Sequence, residues 1–280
     1  VSHLFHKTLG YYSNKFKADG FTTYLKKAEI KNIESLYEDS GISAIDDASF
    51  MAKAKNISNA FKNTKYLGTA DLSTWTISDA EDASFVFEGS TLQGINLSNS
   101  TFENTTNTQN MFKNSAATTI NLEKATFNNV ENANGMFENA KATTISMPEA
   151  TFSNTTDFSN MFKGTTNASS IDLSKITFTA ATNLSGMFKD TYADQIVLNN
   201  NNLGGSHITD MSYMFENSKV KNIDLGSMHT GPLTAVIGIF KNAYELKTVT
   251  LPTVFNTANV TDMNSLFENA SRLTTINNFD

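Results

Sequence analysis

The sequence contains no cysteine. That absence alone excludes disulfides, thiolate metal sites and cysteine nucleophiles, and it disfavours a disulfide-stapled eukaryotic ectodomain. Proline numbers 3 and glycine 14 in 280 residues, too few for a collagen-like or a Pro/Gly-rich disordered chain. Charged residues are 18% and hydrophobic residues 39% of the chain, both below the roughly 25% and 45–50% usual in globular proteins. No apolar run approaches the roughly 18–20 residues that a membrane span needs. Basic residues total 21 against 28 acidic ones, for a net charge of −7, and none cluster into a basic run. Nucleic-acid phosphates and anionic lipid repel such a chain, so neither a nucleic-acid partner nor membrane insertion of this segment is expected.

What the chain has in excess is asparagine, at 34, and threonine, at 36. Internal repetition accounts for that bias. An aromatic residue followed by Lys or Glu, then by Asn, Asp or Gly, recurs at Tyr37, Phe61, Phe87, Phe112, Phe137, Phe162, Phe188, Phe215, Phe240 and Phe267. The period of about 25 residues is the signature of a solenoid with one coil per repeat.

Each coil divides into three parts. In the first, apolar residues stand seven, four and one positions before the aromatic anchor, as in Ile30, Ile33, Leu36 and Tyr37 or Ile208, Met211, Met214 and Phe215. Spacings of three and four predict a short helix or 3₁₀ turn. Two residues after the anchor only Gly, Asn and Asp occur, the types that enter the left-handed region most readily, which predicts a helix C-cap there. The second part alternates apolar and polar residues, as in Ala-Thr-Thr-Ile120-Asn-Leu122, and predicts a half-buried strand. The third is a polar loop with one further aromatic: Phe50, Trp75, Phe102, Phe127, Phe152, Phe178 or Phe255.

One coil cannot bury enough surface to offset the ordering of its backbone, so neighbours must stack on it. The expected fold is therefore an α/β solenoid, a right-handed coil of about ten turns with one parallel β-sheet and short helical or 3₁₀ segments. Residues 1–29 break the repeat and place Phe5, Leu9, Tyr12 and Phe16 at helical spacing. They are expected to form an N-terminal helical cap on a repeat domain spanning residues 30–280.

Leu72-Ser-Thr-Trp75 with Ala83-Ser-Phe-Val-Phe87 resembles the L-S-x-W and M-S-x-M-F core of BspA-type leucine-rich repeats, found on Gram-positive and mycoplasma surface proteins. Asn259-Val-Thr-Asp-Met-Asn-Ser-Leu-Phe267 and Thr209-Asp-Met-Ser-Tyr-Met-Phe215 resemble it more closely. The resemblance covers about residues 30–280. It departs where most coils carry Phe for the family's Trp, and Ser, Thr or Ala for the Cys after the anchor. It implies a leucine-rich-repeat-like fold and an extracellular, cell-surface protein that adheres to host or neighbouring-cell components, and it carries over no catalytic residue.

The residue after the anchor alternates in sign from Glu38 to Glu268, except where Lys163 precedes Lys189. Stacked, these side chains form a column of opposite charges that keeps register; the lysine pair is a fault at which an anion could sit. The outward strand positions include Thr119 and Asn121, Thr144 and Ser146, Ser170 and Asp172, and Asn222 and Asp224. They build a flat ladder of hydroxyl, amide and carboxylate groups suited to hydrogen bonding with glycans or extended peptide, the alternative being a plain solvated face. Tyr192 and Tyr244 occupy equivalent positions two coils apart and offer rings for stacking. Four histidines lie without metal-ligand spacing, and no phosphate loop, nucleophile elbow or zinc-hydrolase motif is present. The reading is a non-catalytic, monomeric adhesin without cofactor, recognising host matrix protein, mucin or polysaccharide. The alternative is a stalk that holds another domain away from the cell wall.

Overall fold

The structure, a computed structural model, describes residues 4, 30–41, 49–65, 69–73, 75–176, 178–198, 207–226, 228 and 230–278. The expected N-terminal cap therefore lies outside the described residues, Leu4 apart. Within them the ten anchor rings form one internal file. Successive ring centroids stand 5.1–5.6 Å apart with planes within 15° of parallel. A rung spacing of about 4.8 Å between parallel chains puts equivalent rings at face-stacking distance. The ring faces are thereby removed from water, with Phe61 through Phe240 at 0% exposure.

The described residues form a β-solenoid of about eight turns with parallel sheets and essentially no helix. This corrects the expected α/β coil of about ten turns. Among the described residues the only helical element is a 3₁₀ turn at Ser49–Lys53. The anchor segments are reverse turns, and their hydrogen bonds show why. Around Phe112, the N–H groups of Thr108, Asn110, Phe112 and Asn114 donate forward to Asn132, Asn134, Met136 and Glu138 carbonyls at 2.8–2.9 Å. The intervening N–H groups of Met111, Lys113 and Ser115 donate to the carbonyls three residues back at 3.1 Å. A helix would keep every one of these donors inside the segment. Here alternate donors leave it, because residues two before and two after the anchor both take positive φ, as Asn110 (55°) and Asn114 (56°) do. The left-handed residue after the anchor was expected, and all ten copies adopt it; the one before it, which breaks the helix, was not.

The second part of the coil forms the strands β1 (Thr69–Asp71), β2 (Gly94–Asn96), β3 (Thr119–Asn121), β4 (Thr144–Ser146), β5 (Ser170–Leu173), β6 (Gln195–Leu198), β8 (Asn222–Asp224), β10 (Thr248–Thr250) and β11 (Thr275–Asn277). Their branched residues point inward in register: Ile95 faces Ile120, and Ile120 faces Ile145. The expected single sheet is divided into β1–β4, β5–β6 and β8–β10–β11. Elsewhere on the coil β7 (Ile208–Asp210) pairs with β9 (Thr230–Ala235). Parallel bridges from Asn32 through Asn56, Asp82 and onward to Asp210, and from Thr76 through Thr101 and Thr126 to Thr151, form two further ladders.

The loop aromatics Phe102, Phe127 and Phe152 build a second stacked file at 4.6 and 4.9 Å. It is interrupted by Phe158, whose ring meets Phe152 and Phe178 edge-on.

Phe137 is stacked at 5.2 Å on Phe112 and 5.1 Å on Phe162. Phe137→Ala is expected to cost about 3–5 kcal/mol in urea unfolding; a loss under 1 kcal/mol would show that the file does not hold the coils together. Gly164 has φ +68°, and a Cβ there would overlap the Asn139 amide oxygen. Gly164→Ala should destabilise by about 1–2 kcal/mol from the left-handed backbone alone, plus the overlap. Adding Asn139→Gly, which keeps the left-handed backbone at 139 accessible and removes the overlapping amide, should recover only the second part, as read by the same unfolding curves.

Candidate functional site

The strand ends are built by their own side chains. Asn121, Asp172 and Asp224 each accept a hydrogen bond at Oδ1 from the N–H two residues on, at 3.0, 2.8 and 2.7 Å from Glu123, Ser174 and Gly226. Asp71 and Asn96 do the same for Ser73 and Ser98. These side chains turn the chain out of the strand, so three of the polar residues expected to face a ligand also hold the backbone. The recurring sequence Asx-Leu followed by Ser, Glu or Gly carries this signal, and alternation alone does not reveal it. A second set, from Asn56 and Asp82 through Asp157 to Asp210, caps the entry to each anchor segment in the same way at 2.8–3.0 Å.

Thr119, Thr144, Ser170, Asp172, Asn222 and Asp224 are exposed, while Asn121 and Ser146 are half-buried. All lie on one outward face. Neighbouring coils are tied across it, with Asn121 Nδ2 donating to Asn96 Oδ1 at 3.2 Å and Thr248 Oγ1 to Asn222 Oδ1 at 2.5 Å. Two depressions mark the places where the sheet is divided. Between β4 and β5 a cleft of ≈ 250 Å³ is lined by Thr144, Ser146, Pro148, Asp172 and Lys175 among others. The larger, of ≈ 570 Å³, runs over β6, β8, β10 and β11. Gln195, Asn222, Asp224, Thr248, Thr250 and Asn277 supply its polar lining. The ion pair Lys221–Asp194, at 2.8 Å, stands at its margin. Asn222 and Asp224 are thus brought into one site; Thr119, Asn121 and Ser170 are not part of either depression.

Tyr192, Lys219 and Tyr244 occupy the same column, four residues after their anchors. Both tyrosines are exposed, at 47% and 53%. The Lys219 ammonium lies 3.7 Å from the centre of the Tyr192 ring, close enough for a cation–π contact. The column precedes the strands of the larger depression by three residues at Tyr192 and Lys219 and by four at Tyr244. Tyr213 is exposed as well, with the Lys189 ammonium 5.4 Å from its ring centre. Tyr66 lies outside the described residues.

The charge column forms as expected. Lys62 pairs with Glu88 at 2.9 Å, Lys113 and Lys163 with Glu138 at 2.8 and 3.2 Å, and Lys189 with Glu216 at 2.6 Å. At the fault, Lys163 turns back to Glu138 and Lys189 forward to Glu216, so both ammonium groups are neutralised by carboxylates on opposite sides. Burial alone would raise the Glu138 carboxyl, but the hydrogen bond from Lys113 and the charge of Lys163 outweigh it and hold it below the ordinary value. Among the described residues no group of three or more His, Asp or Glu side chains is placed to hold a metal ion, and no helix is long and apolar enough to cross a membrane.

A family model described as a mycoplasma protein of unknown function, DUF285, matches residues 31–150, 114–226 and 182–280. The chain belongs to this family. The overlapping matches begin at the first stacked coil and leave only residues 1–30 outside DUF285. No curated protein matches the chain.

A folded-state pKa held below the unfolded one stabilises above the unfolded value, about 4.3 for Glu, and is lost as pH falls through the depressed folded value. Glu138→Gln should therefore cost about 0.5–1 kcal/mol at pH 7, with the gap to the parent closing as the pH drops below about 4. Urea midpoints measured from pH 7 to pH 3 check this; a gap that is constant with pH would rule out the ion-pair origin.

Proposed function

We propose that this chain is a non-catalytic binding module of the bacterial cell surface, an adhesin of BspA-like type that recognises a host matrix protein, mucin or polysaccharide. The observation that carries the reading is the ≈ 570 Å³ depression over β6, β8, β10 and β11. Its amides, hydroxyls and carboxylates sit on a rigid sheet, with exposed Tyr192 and Tyr244 in the adjoining column. Rigid sheets of short polar groups suit the many weak hydrogen bonds that a sugar or an extended peptide offers. Nearby aromatic rings add stacking area at low entropic cost. Repeat proteins use extended faces of this kind for binding.

A spacer is the second reading, and one observation favours it. Across β1, β2 and β3 polar side chains already bond to one another from coil to coil, Asn96 to Asp71 and Asn121 to Asn96. Those groups are satisfied without any ligand.

Mucin-type and polysaccharide glycan arrays, together with a panel of matrix proteins, distinguish the two. Binding should appear and should weaken about tenfold or more in Tyr192→Ala, Tyr244→Ala or Gln195→Ala. Thr119→Ala, outside the depressions, should leave it unchanged. A protein inert on every surface would favour the spacer.

A further inference from the structure

The residues lining the larger depression show where it reaches into the sheet. β10 and β11 contribute only outward groups, Thr248, Thr250 and Asn277, and the inward Val249 stays at 0% exposure. β6 and β8 contribute inward residues as well, since Ile196, Leu198 and Ile223 line it. The depression therefore enters between β6 and β8, which form no ladder. Where successive coils pair, the leucine two residues after the inward isoleucine donates its N–H forward. Leu97 donates to the Asn121 carbonyl at 2.8 Å and Leu122 to that of Ser146 at 2.7 Å. Leu198 holds the donor's place in β6 and Asp224 the acceptor's place in β8, but the two strands exchange no such pair in register. The gap is narrow all the same. Cα atoms of β6 and β8 come within 8 Å of each other, whereas a further strand laid between them would need about 9.5 Å, twice the usual spacing.

The side chains around the gap bear no uncompensated cation. Lys221 is held by Asp194 at 2.8 Å, and the lining carries the carboxylates of Asp194 and Asp224 against that single ammonium. Gln195 is exposed. Asn222 accepts from Thr248 at Oδ1, and its Nδ2 makes no hydrogen bond among the described residues.

We propose that this gap is the subsite for a neutral sugar, whose ring hydroxyls bridge the parted backbone edges of β6 and β8 while Gln195 and Asn222 bind its flanking hydroxyls. The proposal rests on the binding-face reading and narrows it to one ligand class. A hydroxyl donates and accepts through one oxygen, so it can answer an N–H of one strand and a carbonyl of the other across an interval too narrow for a peptide backbone. An extended peptide would have to pry the coils apart. A sialylated, uronic or sulfated glycan would bring its negative charge against Asp224 with no free ammonium in the lining to meet it. At ≈ 570 Å³ the depression falls within the roughly 300–1,000 Å³ usual for small-ligand sites.

The test titrates the protein with lactose and maltotetraose as neutral probes, sialyllactose and hyaluronan oligosaccharide as anionic ones, and gelatin as an extended peptide, while following amide hydrogen exchange. A neutral probe should bind, and Gln195→Ala should weaken it about tenfold. At about ten times its Kd, exchange at the Leu198 and Asp224 amides should slow about tenfold, with Leu122 unchanged. Binding of sialyllactose, hyaluronan or gelatin with the neutral probes inert would overturn the proposal and leave the binding-face reading standing. Neutral-sugar binding without protection of Leu198 and Asp224 would overturn the gap as its site. No binding by any of these probes would overturn the proposal too, and the binding-face reading falls with it only if the wider arrays and matrix panel are also silent.

Discussion

The structure depends on where the backbone of the anchor segment sends its N–H groups. Every second one goes forward to the next coil and the others close tight turns within it. A peptide can divide its donors this way only if its direction reverses at fixed points, and the two left-handed residues flanking each anchor supply the reversals. A helix satisfies itself and can rotate against its neighbour; this segment cannot, because half its polar groups are held by the adjacent coil. Register between coils is therefore set by the backbone first. Stacked rings, alternating charges and asparagine ladders follow because equivalent side chains are brought to the same height at each turn.

The same constraint explains the unusual composition. At a rung spacing near 4.8 Å a threonine hydroxyl reaches the carbonyl of the coil before it, as from Thr105 to Ala80 at 2.8 Å and from Thr155 to Val130 at 2.7 Å. Asparagine is used in two ways. Near the strand ends and anchor entries its oxygen caps the N–H two residues on, as Asn121 and Asn107 do, and beside the anchors its amide bridges coils, as from Asn217 to Asp190 at 2.7 Å. Where glycine takes the latter place, the asparagine of the coil before it fills the space of the missing Cβ, as Asn139 does against Gly164. Each column is a run of short polar groups satisfied by its own repetition, which a chain of ordinary composition could not provide.

Much of this was legible in the sequence, and the misreading has a definite cause. The period, the aromatic file, the strands and the left-handed residue after each anchor all follow from residue identity at fixed spacing. The helix did not survive, because apolar residues three and four apart also arise when reverse turns succeed one another. The distinguishing signal is two residues before the anchor. Asn59, Asn110, Gly135, Asn160, Gly186 and Gly238 stand there, residues that favour the left-handed region, although Phe85 and Tyr213 also adopt it and hide the pattern. The division of the sheet was not legible either, since it reflects volume rather than pattern. Phe158 occupies a position held by Ala133 and Thr108 in the two preceding coils, and it wedges between Phe152 and Phe178 in the interval where β4 and β5 fail to pair.

A regular ladder has less to offer a ligand where its polar groups are already answered by the next coil, as those of Asp71, Asn96 and Asn121 are. Binding would have to compete with bonds such as Asn121 to Asn96 and would gain only their difference. Where two strands part, the competition changes. β6 and β8 do not pair, and the interval between their anchors, Phe188 and Phe215, is one of the longest in the chain at 27 residues. The outward groups of four strands there line a depression; Thr248 bonds to Asn222 and Asn277 to Thr250 on one side of it, while β6 stands apart from β8. The regular coils then act as the rigid support, and a break in repetition is where recognition can be placed without dismantling the bonds that hold the stack.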